Sequence, residues 1–516
     1  MRFPALHALL GSLYVAAAFA QQGNGVGLLV NTQQGPVLGS RPVNTVRQWL
    51  GIPFATAGRW QPPVPPATHS STFSATTYGN TCPQLVSPAI AKFLEIAHQD
   101  DPLVESEDCL TLNIWAPSKN RPQNTAVLIW IYGGGFQFGA SALKVYNGRQ
   151  LVQNHDDITI VSINYRLNIF GQPNAPQLVN PNDSQNFGLL DQRAAIQWVY
   201  DNIAAFGGDP NRISIFGQSA GGTSGAIYSL AYPADTIVKG IIEQSGGLYG
   251  LADLSSPTLD DATWHTVAEA VGCGNSPTSV QFTCMQGKPW QDLITAANNA
   301  GIIFFKLVTD ERLIFSDYEA RMGNGQFLRV PALVGNVAQE ADALTVALNL
   351  VIRGNSPPFL TQVIADIGTQ VGGNCPTVKS ADQRFGNGVT LWRYRYQAIF
   401  PGISTRQDLR AFHGSEIPIV FGTYAEIHNN APATEIALSQ TLGNAWVAFA
   451  RSPATGLTTL GWPTYNPTSD TLVQLGDREN LDGASFASPH LLDATCDSIS
   501  TLLDLNMQFN ALLAGV

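Results

Sequence analysis

The chain has 516 residues, of which 44% are hydrophobic and 13% charged, so it holds enough apolar material for a large core. Its 38 acidic and 27 basic residues give a formal net charge of −11. The basic residues are scattered rather than clustered, which argues against nucleic acid as a partner. No linker, charge block or low-complexity run divides the sequence, and we expect residues 21–516 to form a single domain.

The first twenty residues have the pattern of a secretory signal peptide. Met1-Arg2 precedes an apolar run over residues 5–19, and Ala18-Phe19-Ala20 is the small-x-small pattern that signal peptidase recognises. The alternative is a membrane anchor, but His7 and Gly11 interrupt the run, which is too short to span a bilayer. We therefore expect residues 1–20 to be removed and the protein to be secreted.

Six cysteines fit an oxidising compartment, where disulfides are more common than buried free thiols. Sequence alone allows fifteen pairings. The local candidates are Cys82 with Cys109 and Cys273 with Cys284, which leaves Cys375 with Cys496 by elimination. The sequon Asn182-Asp183-Ser184 is a candidate glycosylation site at Asn182.

Apolar runs without polar alternation predict strands that are buried on both faces of a sheet. Between the second and third runs, apolar residues recur near helical spacing from Leu189 to Phe206. A strand, a helix and a strand in this order predict a right-handed crossover and a mainly parallel sheet, so the fold class is α/β. The runs are 125–132, 158–165 and 212–216, followed by the shorter 240–242 and 330–335.

The third run leads into Gly217-Gln218-Ser219-Ala220-Gly221, and residues compatible with a helix follow. G-x-S-x-G between a strand and a helix is typical of a nucleophile elbow, whereas an ordinary Gly-rich turn requires no such context. The glycines are needed because the sharp turn brings neighbouring backbone too close for side chains. We predict that Ser219 is a nucleophile.

A serine hydroxyl needs a base, and the base needs an acid that orients it. Elbow hydrolases place the acid and then the histidine after the serine. His413 is the favoured base because the short Gly-containing loop 412–418 can present its ring, whereas His428 resembles a solvated surface residue beside Glu426. The histidines that follow Ser219 are His265, His413, His428 and His490.

Glu340 follows the predicted strand 330–335 by a short loop. Ligand chemistry gathers at the carboxyl ends of parallel strands, so Glu340 is a candidate acid. Asp342 lies two residues further on, and position alone does not separate the two.

A glycine-rich loop follows the first predicted strand, with the sequence Gly133-Gly134-Gly135-Phe136. Glycine backbone can turn its N–H groups toward an oxyanion, and the N–H of Ala220 is a further candidate donor. A flexible turn or a phosphate cradle is the alternative, but no Lys-Ser/Thr pair follows.

Two segments together resemble signatures of the type-B carboxylesterase/lipase family, which includes cholinesterases and fungal lipases. They are residues 206–213, FGGDPNRI, leading into the elbow, and residues 107–114, EDCLTLNI. The resemblance covers nearly the whole mature chain. It implies an α/β-hydrolase fold, with a large, mixed, mostly parallel sheet flanked by helices, and a serine hydrolase that cleaves carboxylic esters through an acyl-enzyme without metal or other cofactor.

The resemblance also assigns residues. It favours Glu340 over Asp342 as the acid, and it places the Cys82–Cys109 disulfide around a mobile loop over the active site. Gln218 replaces the glutamate of cholinesterases, and no tryptophan lies between Cys82 and Cys109, which argues against a choline ester. Ala341 stands where the family commonly has glycine. The implied catalytic residues are Ser219, Glu340 and His413, the oxyanion donors Gly134, Gly135 and Ala220, and the second disulfide Cys273–Cys284.

Residues 88–99 form an amphipathic helix pattern inside the Cys82–Cys109 loop, with Ile90, Phe93, Leu94 and Ala97 on one face. It resembles a lipase lid that makes transient contact with a lipid interface; the alternative is a helix packed permanently on the core.

Four phenylalanines are candidates for lining an acyl pocket, although aromatic residues near strand ends are often part of the core. They are Phe136, Phe138, Phe304 and Phe305.

Ester hydrolysis, by a carboxylesterase or a lipase-like enzyme acting on a small-molecule or lipid ester, is the leading hypothesis. A catalytically silent adhesion or binding module of the same fold is the first alternative, although such a module usually lacks a triad member. Amide hydrolysis by the same triad is the second alternative.

Overall fold

The computed structural model describes residues 27–180, 182–248, 254–256, 258–352 and 358–496. The predicted signal peptide at residues 1–20 lies outside the described residues.

The strands are β1 Leu29–Asn31, β2 Pro36–Leu38, β3 Ser40–Val43, β4 Val46–Pro53, β5 Phe73–Ser74, β6 Thr111–Pro117, β7 Thr125–Ile131, β8 Ile158–Ile163, β9 Gly208–Gln218, β10 Val238–Gln244, β11 Ser255–Ser256, β12 Leu307–Val308, β13 Ala332–Val337, β14 Leu391–Tyr396, β15 Leu472–Leu475 and β16 Ala484–Ala487. The α-helices are α1 Pro88–Ile96, α2 Arg149–Asn154, α3 Asn168–Gly171, α4 Phe187–Phe206, α5 Ala220–Ala231, α6 Ala262–Ala270, α7 Ser279–Gln286, α8 Trp290–Asn299, α9 Tyr318–Gly323, α10 Asp342–Ile352, α11 Pro358–Thr369, α12 Cys375–Gly386, α13 Ile417–Phe421, α14 Ala433–Arg451, α15 Gly456–Thr459 and α16 Pro489–Asp493. A π-helical turn, Gln370–Asn374, joins α11 to α12.

Across the described residues the main sheet has eleven strands in the order β16-β15-β14-β13-β10-β9-β7-β8-β6-β4-β3. The strands from β8 to β15 pair in parallel, and the strands at both edges pair antiparallel. Every residue of β7 and β8 is buried, because helices cover both faces of the sheet at this point. The predicted fold, a mostly parallel mixed sheet of the α/β-hydrolase type, is confirmed.

The two short apolar runs predicted as strands become β10 and β13, which lie side by side in the sheet. β13 begins at Ala332 rather than Val330, since Pro331 has no N–H to donate to the ladder. β9 begins at Gly208, four residues before the predicted start. These strands matter for function because β9 and β13 flank β10 in parallel, so their carboxyl ends lie on the same side of the sheet.

Large aromatic side chains pack against both faces of the sheet and form much of the core. They include the fully buried Trp49, Trp115, Trp130, Trp392 and Trp446. A second buried cluster, built around Trp60, Phe170 and Trp264, lies under α3 and α6 to α8. In the part of the chain that the structure describes, no helix combines the length and apolar character required to cross a bilayer.

The predicted lid helix ends earlier than its sequence pattern suggests. α1 begins after Ser87, whose hydroxyl accepts the Ile90 N–H, and ends at Ile96 instead of Gln99. It packs against α10. The disulfides are Cys82–Cys109, which closes the loop that carries α1, Cys273–Cys284, and Cys375–Cys496.

Candidate active site

Ser219 occupies a sharp turn between β9 and α5, with φ 58° and ψ −124°. A residue other than glycine rarely adopts this conformation, and it is held here because the Ser219 N–H donates to the Gln244 carbonyl at 2.8 Å. The flanking glycines are sterically required. A Cβ at Gly221 would lie 1.9 Å from the Ile131 carbonyl oxygen, and a Cβ at Gly217 would lie 2.5 Å from Gly221 backbone. This is the geometry of a nucleophile elbow.

The structure brings Glu340 and His413 into direct contact. His413 Nδ1 lies 2.5 Å from Glu340 Oε2, and the other carboxylate oxygen accepts the Val337 N–H at 2.9 Å. The Glu340 side chain is 7% exposed and that of His413 is 26% exposed. A buried acid therefore fixes the imidazole, while part of the ring faces a cavity. With Nδ1 engaged by the carboxylate, Nε2 is the ring nitrogen left to exchange a proton.

Backbone pairing holds the two loops that carry these side chains together. The Gln339 N–H donates to the Ala411 carbonyl at 2.9 Å, and the Ala411 N–H donates to the Gln339 side chain at 3.1 Å. Asp342 makes a bidentate ion pair with Arg410, at 2.8 and 2.6 Å. Asp342 thus ties the two loops, whereas Glu340 contacts the histidine.

The ionisation of His413 depends on two opposing effects. Burial acts to lower the pKa of the imidazole, but the attraction of Glu340, its hydrogen bond and the nearby Glu416 together raise the pKa of His413 above its usual value. The carboxylate thus favours the imidazolium that forms when a base accepts a proton.

The glycine loop after β7 lies directly against the serine. A Cβ at Gly133 would be 2.8 Å from Ser219 Cβ. Gly134 has φ +111° and Gly135 has φ +59°, conformations that suit glycine. The loop is closed by hydrogen bonds from the Gln137 and Phe138 N–H groups to the Gly134 carbonyl, at 2.9 and 3.2 Å. Ala220 is the first residue of α5, where backbone N–H groups have no partner within the helix.

A cavity of about 320 Å³ opens in front of Ser219, Glu340 and His413. Ile90 and Phe93 of α1 line it, as do Phe138 and Phe304 among the predicted pocket residues. The prediction is wrong for Phe136 and Phe305. Both are almost fully buried in the core, where Phe136 packs edge-on against Tyr165 and the Phe305 N–H donates to the buried Gln137 side chain.

Glu416 is a site residue that the sequence reasoning missed. Its side chain is fully buried, and its carboxylate accepts a hydrogen bond from Gln244 Nε2 at 3.1 Å. Burial and the charge of Glu340 raise the pKa of Glu416 to about 7. The available signal was its position three residues after His413 and directly before the apolar run of α13.

The other histidines after Ser219 lie elsewhere. His265 lies 3.7 Å from Asp261, and His490 is exposed. His428 is not the solvated surface residue that its polar neighbours suggest. Its side chain is 14% exposed and contacts the buried Glu435 at 3.1 Å. The ring also packs against Gly402, where an added Cβ would lie 2.7 Å from His428 Cγ.

Comparison with known proteins identifies the family. The model of the carboxylesterase family matches residues 27–356 and 353–489. The chain is 33% identical to a chlorogenic acid esterase of Aspergillus niger over 87% of its length and 90% of that protein. It is 30% identical to the secreted lipase 5 of Gibberella zeae, covering 75% of this chain and 76% of the relative. It is also 30% identical to the para-nitrobenzyl esterase of Bacillus subtilis, covering 86% and 94% respectively. The chain therefore belongs to the carboxylesterase family and is a carboxylic ester hydrolase.

Proposed function

We propose that the protein cleaves esters through an acyl-enzyme formed on Ser219. Ser219 Oγ attacks the ester carbonyl carbon while His413 Nε2 takes the hydroxyl proton. The bond to the alcohol oxygen then breaks, and the alcohol leaves with the proton from His413. Water attacks the acyl-serine in the same way and releases the acid. The observation that carries this proposal is the 2.5 Å contact between His413 and Glu340 at the cavity that Ser219 also lines.

The N–H groups of Gly134, Gly135 and Ala220 are the proposed oxyanion donors. Each belongs to backbone beside Ser219, and the two glycines hold positive-φ conformations that larger residues rarely adopt. Preorganised N–H groups stabilise the charge that develops on the carbonyl oxygen, and each one contributes typically about 3 kcal/mol to lowering the barrier.

The substrate is proposed to be an uncharged ester with an apolar acyl or alcohol group. Among the described lining residues, Glu340 is the only carboxylate, and lysine and arginine are absent. The walls are formed mainly by aliphatic and aromatic side chains, together with glycine backbone. An apolar cavity with a few polar groups at its base favours binding of neutral molecules, whereas a charged group would lose its hydration without gaining a partner.

Secretion, glycosylation and contact with lipid are further parts of the proposal. Three disulfides suit an oxidising compartment, and Asn182 of the sequon is exposed. Leu344 and Phe304 line the cavity while remaining 47% and 40% exposed. Such apolar side chains at an opening suit transient contact with a lipid surface. Rates on emulsified triglyceride and on soluble short-chain esters would distinguish lipase from plain esterase behaviour.

The decisive experiment compares wild type with Ser219→Ala on a series of p-nitrophenyl esters. Wild type should hydrolyse them and should gain the mass of one phosphonyl group from a fluorophosphonate probe, with the label on Ser219. Ser219→Ala should lose both properties. Ester hydrolysis retained by Ser219→Ala would refute the acyl-enzyme assignment. Ser224→Ala removes a buried hydroxyl five residues further along, in α5; it is the matched control and should retain labelling.

A further inference from the structure

The helical segment that packs on the acid loop contains an irregular turn at the point of contact. α11, the turn Gln370–Asn374 and α12 follow one another without a break. Pro376 has no N–H, and its ring would clash with the carbonyl of residue 372 in a regular helix. The wider π-helical turn lies directly before this proline, and Thr377 Oγ1 donates to the Gly373 carbonyl at 2.9 Å. Such π-helical turns are frequent at functional sites.

Gly373 lies against the side chain of Glu340. A Cβ at Gly373 would be 2.4 Å from Glu340 Cγ, 3.2 Å from its Cβ and 3.4 Å from its Cδ. Real Cβ atoms do not approach other carbons to 2.4 Å, so the carboxylate can hold its position only while residue 373 is glycine.

The preceding turn supports the next residue of the acid loop. The Ala341 N–H donates to Thr369 Oγ1 at 3.2 Å, and Thr369 is 3% exposed. A Cβ at Gly368 would lie 3.0 Å from the Ala341 methyl group. Ala341, which stands where the family commonly has glycine, therefore has its methyl group accommodated by Gly368.

The segment is itself anchored on its other side. Asn374 is buried and accepts a hydrogen bond from Arg393 of β14 at 3.1 Å, and Arg393 also binds Asp493 of α16. The next residue, Cys375, is bonded to Cys496. The turn is thus held between the C-terminal part of the described chain and the acid loop.

We infer that the turn Gln370–Asn374, through Gly373 and with Thr369, positions the carboxylate of Glu340 for its contact with His413. The inference rests on the proposed function, in which Glu340 orients His413. Gly373 and Thr369 are positioning residues, since they act on the reaction through Glu340 and its loop.

The test measures kcat, KM and the pH dependence of kcat/KM for Gly373→Ala. Because a displaced acid misaligns the base, kcat should fall by about 10- to 100-fold while KM stays within about threefold. Contact with Glu340 raises the pKa of His413, so a weakened contact should move the acidic limb of the profile to lower pH. Gly386→Ala is the matched control, since an added Cβ there meets no atom within 4 Å.

If Gly373→Ala does not fold, two variants of Thr369 test the same inference. Thr369→Val removes the acceptor for the Ala341 N–H with little change in shape, and kcat should fall by about three- to tenfold. Thr369→Ser keeps the hydroxyl and should restore kcat. Values of kcat within twofold of the Gly386→Ala control in both Gly373→Ala and Thr369→Val would overturn the inference, as would lower kcat with an unshifted acidic limb. A wild type that the fluorophosphonate probe does not label would instead refute the proposed function.

Discussion

Gln244 and Glu416 form a buried pair in which the Gln244 side-chain amide donates to the Glu416 carboxylate at 3.1 Å. The carbonyl of the same Gln244 accepts the N–H of Ser219 at 2.8 Å, and its side-chain oxygen accepts a hydrogen bond from Trp446. Gln244 therefore links the backbone of the elbow to a carboxyl group that also interacts electrostatically with His413 and Glu340. Glu416 should influence the reaction although it does not line the cavity.

Replacing Glu416 by glutamine should shift the pH dependence of activity. Because the pKa of Glu416 is about 7, this carboxyl is negatively charged near and above pH 7, and that charge contributes to the raised pKa of His413; the imidazole must be neutral to act as a base. The acidic limb of kcat/KM should therefore move to lower pH in Glu416→Gln. The loss on the alkaline plateau should be far smaller than the roughly 100- to 10,000-fold loss that follows removal of a general base. An unchanged limb would contradict the electrostatic coupling.

The same substitution should change how stability depends on pH. The pKa of Glu416 is raised from 4.5 to about 7, so the folded state binds this proton more tightly than the unfolded state. The contribution of this proton to the free energy of unfolding is fully present below pH 4.5. It is lost as pH rises through 7, and the free energy of unfolding then falls by about 3 kcal/mol. Glu416→Gln should therefore gain stability relative to wild type between pH 5 and pH 8 in urea unfolding. Glu479→Gln removes an exposed carboxylate and is the charge-matched control. A difference in the free energy of unfolding between wild type and Glu416→Gln that does not change from pH 5 to pH 8 would contradict this prediction.

The two glycines that we propose as oxyanion donors should differ in their tolerance of a methyl group. A Cβ at Gly134 would lie 2.1 Å from the Phe138 carbonyl oxygen, and its φ of +111° is closed to alanine. At Gly135, φ is +59° and the nearest atom, 3.0 Å away, belongs to the movable ring of Phe304. Gly134→Ala should lose at least about 100-fold in kcat, and Gly135→Ala should stay within about tenfold, since its left-handed conformation costs about 1–2 kcal/mol. Steady-state kinetics normalised to the fluorophosphonate-labelled fraction would measure both; equal losses would contradict the expected difference.

Phe304 should determine which esters fit. Its ring lies beside Gly135 at the opening of the cavity. Phe304→Ala removes that ring, and kcat/KM for octanoate relative to butyrate esters should rise about tenfold or more, the range for a change of a few methylenes in an apolar pocket. Ile303→Ala, at a neighbouring side chain that is 58% exposed, is the control and should leave the ratio unchanged. A lower ratio in Phe304→Ala would show that the ring binds the longer chain.

The elements of the site that were predictable from sequence are the local ones. The elbow around Ser219 is a continuous strand, turn and helix, so five residues and their flanks suffice to recognise it. Positions related by tertiary structure were harder. Glu340 and Asp342 differ by two residues, and their positions in the sequence do not separate them without the family resemblance; the packing of the 410–413 loop shows that one contacts His413 and the other Arg410.

Burial accounts for the remaining differences between sequence and structure. Phe136 and Phe138 are two residues apart, yet the turn after the glycines directs one into the core and the other toward the cavity. Glu416 is a charged residue in a loop, which by composition indicates a solvated position. Its burial follows from the docking of α13 against the sheet, which no local pattern predicts.

The order of the strands also has a consequence for the time at which activity appears. The elbow follows β9, whereas Glu340 and His413 follow β13 and β14, which join the sheet beyond β10. During synthesis, the proposed nucleophile leaves the ribosome about 200 residues before its base, a delay of about 10 to 40 s at ordinary elongation rates. We therefore expect the nascent chain to be catalytically inert even when its first half has folded, and recovery of esterase activity after denaturation should report the docking of the second half of the sheet.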